Sequence, residues 1–203
     1  MNVKICGLTN IADARVARDA GADYFGFIFY AKSPRAVSPE QVAQIVGELG
    51  DGARAIGVFV NERPEQIREI VAACGLYAAQ VHGDELAEDF AALPLRLWRA
   101  MRIEDGVAVP DPAAWSADCY VIDAAVPGQY GGTGVTADWH AAARIAQDRP
   151  VLLAGGLHPG NVREAIRCVS PMGVDVSSGV ELEPGRKDHE AVRRFIALAK
   201  GME

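Results

Sequence analysis

Short apolar runs alternate with longer amphipathic stretches along the whole chain. The short runs are rich in Val, Ile and Phe, which is typical of β-strands, and the longer stretches repeat apolar residues at helical spacing. Eight strands are predicted, over residues 3–6, 23–29, 54–60, 77–82, 95–100, 119–124, 151–155 and 174–178. Strands that alternate with helices indicate βα units and a parallel sheet.

Residues that begin and end helices stand between these strands. Ser38 and Pro39 suit the N-cap and the first position of a helix that Gly50 can end. Gln41 follows Ser38 by three residues, where it can complete a capping box. Further helices are predicted between Asn10 and Gly21, from Pro64 to Gly75, and around Val192, Phe195, Ile196 and Ala199.

The connection after the fifth strand is the least regular. Gly106, Pro110 and Pro112 fall within "EDGVAVPDPAAWS". Proline lacks a backbone donor and its ring clashes with the preceding helical turn. We therefore expect a short or irregular connection, with a degraded fifth helix.

The order of these units predicts a single (β/α)8 barrel, or TIM barrel, over residues 1–203. No composition break or linker divides the chain. Such barrels usually have about 250 residues, so the loops of this one must be short. A doubly wound open sheet is the alternative, but its glycine-rich segment would follow the first strand, whereas the glycine-rich segments here come late.

Composition and charge narrow the class of partner. The chain has 203 residues, of which 50% are hydrophobic and 23% charged, enough to bury a substantial core. A net charge of −7 without a basic cluster argues against nucleic acid or an anionic membrane as the main partner. The N-terminus lacks a signal-peptide pattern, and no apolar run reaches the roughly 18 residues that span a bilayer. We expect a cytoplasmic protein.

The spacing of cysteine and histidine argues against a structural zinc site and against a disulfide framework. The cysteines form no C-x-x-C pair, and the histidines form no H-x-x-x-H pair. The residues concerned are Cys6, Cys74, Cys119, Cys168, His82, His140, His158 and His189.

Candidate ligand-binding residues follow from the predicted barrel. In this fold ligands bind where the strands end, so residues at and just beyond each carboxyl end are the informative ones. Those positions hold Cys6, Arg35, His82, Asp123, Gly155, Gly156, Ser177, Ser178 and Gly179.

Two late segments, "LLAGGLHPGNV" and "VDVSSGVE", have the character of phosphate-binding loops. Gly155 and Gly156 let backbone N–H groups approach an anion closely, and Ser177, Ser178 and Gly179 add a hydroxyl and further N–H donors. A plain tight turn would also explain the Gly-Gly pair alone. Both signals on consecutive strands favour a shared phosphate pocket.

The remaining candidates each have a structural alternative. Cys6 directly before Gly7 suits a strand end that presents a side chain to a ligand, but a buried thiol is also common. Asp123 follows a buried run, so it caps a loop or is functional. Arg35 can grip a carboxylate in bidentate fashion or be a solvated surface residue, and His82 can bind a ligand or be a hydrogen-bonded strand-end histidine.

A long glycine-containing loop follows Asp123. Its sequence "AAVPGQYGGTGVTADW" contains Gly131, Gly132 and Gly134 and would suit a mobile cover over a substrate. A plain connection in which Thr136 or Asp138 caps the next helix is the alternative.

A series of motifs makes the pattern specific. The segments "KICGLT", "SPR", "IGVFVN", "QVHG", "ID" followed by "YGGTG", "LAGGL", "NV", "DVSSGVE" and "GRKD" occur in this order. Over essentially the whole chain, this series resembles the phosphoribosylanthranilate isomerases of tryptophan biosynthesis. The resemblance implies a (β/α)8 barrel that needs no cofactor and carries out an Amadori rearrangement of a phosphoribosyl-anthranilate conjugate.

The resemblance also implies roles for single residues. Cys6, the cysteine of "KICG", is the expected general base, and Asp123 is the expected general acid. Arg35 is the expected partner of the anthranilate carboxylate. The expected phosphate site comprises Gly155, Gly156, Ser177 and Ser178.

Two positions depart from the family pattern. Ala124 stands where a small hydroxyl residue often follows the aspartate, and Arg99 stands where a lysine is expected. These departures concern the hydrogen bonding of Asp123 and the shape of the pocket, not the two catalytic positions.

Other functions stay open at this point. A different sugar-phosphate isomerase or epimerase could use the same barrel, since phosphate loops do not identify the rest of a substrate. A catalytically silent protein that binds a phosphorylated metabolite is the other alternative. The expected partner is a phosphorylated small molecule, and the sequence leaves both a monomer and a homodimer open.

Overall fold

The protein, described here from a computed structural model over residues 1–123 and 139–202, is built around a parallel barrel. Its strands are β1 (Asn2–Ile5), β2 (Tyr24–Ile28), β3 (Ala55–Phe59), β4 (Ala78–Val81), β5 (Leu97–Glu104), β6 (Val107–Val109), β7 (Cys119–Asp123), β8 (Val151–Leu153), β9 (Gly173–Val176), β10 (Glu181–Glu183) and β11 (Arg186–Lys187). All except β6, β10 and β11 pair in parallel, and the pairings β1–β9 and β4–β5 close the ring. The (β/α)8 prediction is confirmed. The open-sheet alternative is wrong, because an open sheet has two edge strands that each lack a neighbour on one side, whereas here β4 pairs with β5.

The helices lie between the barrel strands, as the sequence predicts. They are α1 (Ile11–Asp19), α2 (Pro39–Leu49), α3 (Pro64–Cys74), α4 (Ala87–Phe90), α5 (Trp139–Ala146), α6 (Val162–Val169) and α7 (His189–Lys200). In the parts of the chain that the structure describes, none of these helices has the length and apolar character needed to cross a membrane.

The irregular fifth connection is confirmed. Between β5 and β7 the chain forms β6, which pairs antiparallel with β5, and a short 3-10 helix at Pro112–Ala114. This whole connection is described, and it contains no α-helix.

The ends of α2 show both a confirmed and a wrong prediction. The Ser38 side chain accepts a hydrogen bond from the Gln41 backbone N–H at 3.3 Å, and Gly50 ends the helix with a positive φ of 82°. The capping box is not completed, because the Gln41 side chain donates to the Thr9 carbonyl at 2.6 Å. This bond ties α2 to the loop that follows β1.

Two hydrophobic cores support the barrel. Because side chains alternate along a strand, residues such as Val3 and Ile5 pack outward against the helices. A separate cluster forms the apolar core inside the barrel: Tyr24, Ile56, Ala78, Trp98, Ala100, Cys119, Val121, Leu152 and Ala154. These side chains fill the apolar part of the barrel interior. A ligand must therefore bind at the carboxyl ends of the strands.

Candidate active site

A cavity of about 390 Å³ opens at the carboxyl ends of the barrel strands. Most of the residues predicted from their positions at strand ends line it together. They are Cys6, Arg35, His82, Asp123, Gly155, Gly156, Ser177 and Ser178.

Gly179 is the predicted residue that does not line this cavity. It lies in the short 3-10 helix Ser178–Val180, and a Cβ there would collide with the Leu157 carbonyl oxygen. Close packing between this turn and the loop after β8 accounts for the glycine. Gly179 thus allows the turn that contains Ser178 to pack against Leu157.

Cys6 is positioned by glycines on both sides. Its backbone N–H donates to the Val176 carbonyl at 2.8 Å, which continues the β1–β9 pairing by one residue. Gly26 leaves room for the thiol, since a Cβ at that position would lie 2.8 Å from the Cys6 sulfur. Gly7 turns the chain with a φ of 71°, and a Cβ there would lie 2.6 Å from Cδ of Arg35. The Cys-Gly pair therefore fits one thiol and one sharp turn into a crowded strand end.

A buried ion pair lies beside Cys6. The ammonium of Lys4 contacts the Asp175 carboxylate at 2.7 Å, and the Lys4 side chain is fully buried. Burial alone would lower the pKa of Lys4, but Asp175 and Cys6 outweigh burial and raise this pKa above its ordinary value. Burial raises the pKa of the Cys6 thiol, and the positive charge of Lys4 opposes that rise only in part.

His82 and Asp123 face each other across the cavity. His82 Nε2 lies 3.5 Å from Oδ2 of Asp123, and His82 Nδ1 lies 3.3 Å from the side-chain amide nitrogen of Gln80. Burial, reinforced by Lys4 and Arg99, lowers the pKa of His82 to about 4, so the ring is neutral near pH 7. Because the NH2 group of Gln80 can only donate, Nδ1 accepts and Nε2 carries the hydrogen. Nε2 is thus the nitrogen that can donate toward Asp123.

The neutral state of His82 predicts an acid-sensitive stability. An unfolded histidine titrates near pH 6.5, whereas the pKa of His82 in the folded protein is about 4. As the pH falls through this window, the unfolded chain binds a proton that the folded chain does not, so stability is lost. Urea unfolding of the wild type and of His82→Gln, at about pH 7 and about pH 5, should show a larger loss in the wild type. Equal losses in the two proteins would contradict this assignment.

The predicted phosphate loops meet at one side of the cavity. Gly155 and Gly156 have positive φ values of 79° and 68°, which a side chain would strain. The Asn161 side chain donates to the Gly156 carbonyl at 3.0 Å and fixes the turn. The Ser177 hydroxyl oxygen is buried and has no hydrogen-bond partner among the described residues. A glycine turn and an unpaired hydroxyl thus converge on a small polar pocket.

Arg35 lines the cavity but is already paired. Its Nε and Nη2 donate to the Glu181 carboxylate at 2.9 Å and 2.6 Å, and Lys187 donates to the same carboxylate at 2.7 Å. Burial would raise the pKa of Glu181, but these two cations outweigh burial and lower it. The bidentate contact with a carboxylate that was expected of Arg35 is therefore made with Glu181 of the protein itself.

The sequence assigned no site role to Gln80, Asp175 or Glu181, and it indicated Lys4 only as a neighbour that could help to ionise the Cys6 thiol. Lys4 and Asp175 could have been found from the sequence, because each lies within an otherwise apolar strand and buried charges are almost always paired. Nothing in their spacing indicated which residues pair.

Several residues singled out in the sequence stand apart from the cavity. Arg99 is buried, donates to Glu85 at 2.8 Å and to the Gly83 carbonyl at 2.6 Å, and does not line the cavity. The loop glycines, the helix-cap alternatives and the departure after Asp123 lie outside the described residues: Ala124, Gly131, Gly132, Gly134, Thr136 and Asp138.

The chain matches one protein family along nearly its whole length. The family described as "PRAI: N-(5'phosphoribosyl)anthranilate (PRA) isomerase" matches residues 3–197. N-(5'-phosphoribosyl)anthranilate isomerase of Magnetococcus marinus is 45% identical over 200 residues, which cover 98% of this chain and 95% of that protein.

Several solved structures match over 100% of both chains, and two of them are described here. One shows monomers of the dimeric phosphoribosylanthranilate isomerase from Thermotoga maritima, with 38% identity and a TM-score of 0.85. The other shows a phosphoribosyl anthranilate isomerase in complex with reduced 1-(o-carboxyphenylamino)-1-deoxyribulose 5-phosphate, with 37% identity and a TM-score of 0.86. The match of fold, length and sequence places this chain in the N-(5'-phosphoribosyl)anthranilate isomerase family.

Proposed function

We propose that this protein converts N-(5-phosphoribosyl)anthranilate into 1-(2-carboxyphenylamino)-1-deoxyribulose 5-phosphate, an Amadori rearrangement of tryptophan biosynthesis. One observation carries the proposal in this chain: Cys6 and Asp123 line the same cavity as the glycine and serine loops. A base, an acid and an anion pocket in one site are the groups that this reaction needs.

The cavity suggests how the substrate lies. The phosphate would bind the loops that contain Gly156 and Ser177, where backbone N–H groups can approach it. The anthranilate would lie toward Arg35, whose Nη1 has no hydrogen bond among the described residues and is left for the substrate carboxylate. The sugar would then span the space between Cys6 and Asp123.

The reaction would begin at Asp123. Its carboxyl group would donate a proton to the furanose ring oxygen, the C1–O bond would break, and the ring would open to a protonated Schiff base. Asp123 would be left as a carboxylate, to which neutral His82 can donate a hydrogen bond from Nε2. His82 would therefore favour the ionised form of the acid after the proton has left.

Cys6 would act on the opened sugar. The positive nitrogen of the Schiff base acidifies the C2–H bond, so the Cys6 thiolate can take this proton. The electrons of the C2–H bond form the C1–C2 double bond, and the former C=N electrons return to nitrogen. The resulting enolamine gains a proton at C1 and loses the one on the C2 hydroxyl, which gives the ketone.

The decisive test is a turnover assay. Purified protein added to N-(5-phosphoribosyl)anthranilate should remove the fluorescence of this conjugate, and Cys6→Ala should not. Loss of signal with an epimeric sugar phosphate only would favour a different isomerase on the same barrel. Tight binding of the reduced product, without turnover in either protein, would favour a silent binding protein.

The phosphate assignment gives a separate prediction. Gly156→Val should raise KM strongly and weaken binding of the reduced product, because a side chain strains the loop and blocks its backbone N–H groups. Binding is measured by calorimetric titration. Gly75→Val is a matched control, since Gly75 also has a positive φ, of 62°, but lies at the end of α3 with open space around it. Unchanged affinity in Gly156→Val would move the phosphate elsewhere.

The expected partner is a phosphorylated small molecule, as in the solved complex. The predictions of a monomer or homodimer and of a cytoplasmic location stay predictions. Sedimentation equilibrium would decide the first, and the dimeric relative favours a homodimer.

A further inference from the structure

A buried ion pair lies next to the proposed base and has no part in the mechanism above. Lys4 and Asp175 are directly opposite each other in the β1–β9 pairing, and their charged groups meet at 2.7 Å. The Lys4 side chain is 0% exposed and that of Asp175 is 7% exposed. Burying two charges costs several kcal/mol per ion before their attraction is counted. Stability alone therefore does not explain why this ion pair lies inside the barrel.

The strand geometry links Lys4 to Cys6. The two residues are two positions apart on β1, so their side chains leave the same face of the strand and point into the barrel. The ammonium of Lys4 donates to Asp175, and its positive charge also acts on the Cys6 thiol on the same face of the strand. A Cβ at Gly26 would lie 2.8 Å from the Cys6 sulfur, so Gly26 borders the space that holds the thiol. Cys6 thus lies at a crowded strand end, on the same face as a buried ammonium group.

Other charged groups face Cys6 from several elements, but less directly. Asp175 acts from β9, Lys187 from β11, and Arg35 from the loop after β2. Lys187 and Arg35 share the Glu181 carboxylate, which offsets much of their charge. Burial works against the thiolate, and Lys4 is the largest influence in its favour.

We propose that Lys4 is a positioning residue that increases the share of Cys6 in its proton-accepting form, and that Asp175 moderates this effect. The proposal rests on the proposed role of Cys6 as the base. Lys4 transfers no proton in it: the proton from C2 goes to the Cys6 sulfur, and Lys4 keeps its own. The raised pKa of Lys4 is consistent with an ammonium that stays charged throughout.

The two halves of the ion pair should have opposite effects on Cys6. Lys4→Met removes the cation that favours the thiolate, whereas Asp175→Asn removes an anion that disfavours it. A merely structural pair predicts the same effect from both changes, since each breaks the same contact.

The readout is the alkylation rate of Cys6 by iodoacetamide in the free protein. Mass spectrometry of the Cys6 peptide, over a range of pH, separates this thiol from the other three. Lys4→Met should slow alkylation near neutral pH at least about tenfold, as for a shift of one pKa unit. Asp175→Asn should accelerate it. Slower alkylation in both variants, or no change in Lys4→Met, would overturn the proposal.

Turnover gives a second readout. In Lys4→Met the limb of kcat/KM that Cys6 provides should move to higher pH, while the limb from Asp123 stays in place. A merely structural loss would lower kcat/KM at every pH and move neither limb. Lys4→Arg, which keeps the charge, should recover a large part of the alkylation rate.

Folding is controlled by the double variant Lys4→Met/Asp175→Asn, which leaves no unpaired buried charge. Its Cys6 should react more slowly than in the wild type, because Lys4 acts on the thiol more strongly than Asp175 does. An equal or faster rate would also overturn the proposal. The alkylation assay needs no substrate, so this outcome is distinct from failure of the proposed function, which Cys6→Ser tests independently.

Discussion

Asp123→Asn should lower kcat by at least about a hundredfold and change the affinity for the reduced product only slightly. A positioned general acid typically contributes about 10²–10⁴ in rate, and an amide cannot supply that proton. The side chain of asparagine has nearly the same shape, and its oxygen can still accept a hydrogen bond from His82 Nε2. The loss should therefore appear in turnover and not in binding, as measured by steady-state kinetics and calorimetry.

The matched control is Asp118→Asn at the opposite end of β7. Asp118 accepts a hydrogen bond from the Leu97 backbone N–H at 2.8 Å, and an asparagine oxygen can accept the same bond, so this variant should leave kcat nearly unchanged. Near-native turnover in Asp123→Asn would remove this residue from the mechanism. Equal losses of kcat in the two variants would point to a general distortion of the barrel.

The fold was predictable because the pattern that encodes it is local. The run predicted as strand 54–60 forms β3 at Ala55–Phe59, and the helix predicted from Pro64 ends at Cys74, directly before Gly75. Strand burial, helix caps and proline positions are read over a few residues. The closure of the barrel then follows from the repetition of the units, since each βα unit places the next strand beside the last.

The membership of the cavity was predictable for a geometric reason. Barrel strands all run in the same direction, so their carboxyl ends meet at one mouth however far apart they are in sequence. Cys6 at the end of β1 and Asp123 at the end of β7 therefore share a cavity. Gly179 shows the limit of this reasoning: it follows a strand end but packs against Leu157.

The pairings inside the site were not predictable. Arg35 and Glu181 are 146 residues apart, and Lys4 and Asp175 are 171 residues apart. Each partner is selected by side-chain reach in the folded barrel, and hydrophobic periodicity contains no information about it. The same holds for Gln41, whose side chain reaches Thr9 and not the N-cap of its own helix.

Cys6→Ser should leave a folded protein that binds the reduced product but turns over at least about a hundredfold more slowly. The hydroxyl fits the space beside Gly26, where the sulfur now lies. It is far less acidic than a thiol, however, so the variant has almost no anionic form to accept the proton from C2. The acid limb that Cys6 gives to kcat/KM should disappear in the variant, while a falling limb from Asp123 at higher pH should remain.

Cys119→Ser provides the comparison that separates chemistry from packing. Cys119 is also buried within the barrel, among the apolar side chains below the cavity, and burial raises the pKa of its thiol to about 12. Its replacement places a hydroxyl in an apolar setting, so Tm should fall while kcat is nearly kept. If Cys6 were also only a packed thiol, both serine variants would lose stability and keep their rates. Native kcat with an unchanged pH profile in Cys6→Ser would thus overturn the base assignment, and the proposed mechanism would lose its proton acceptor at C2.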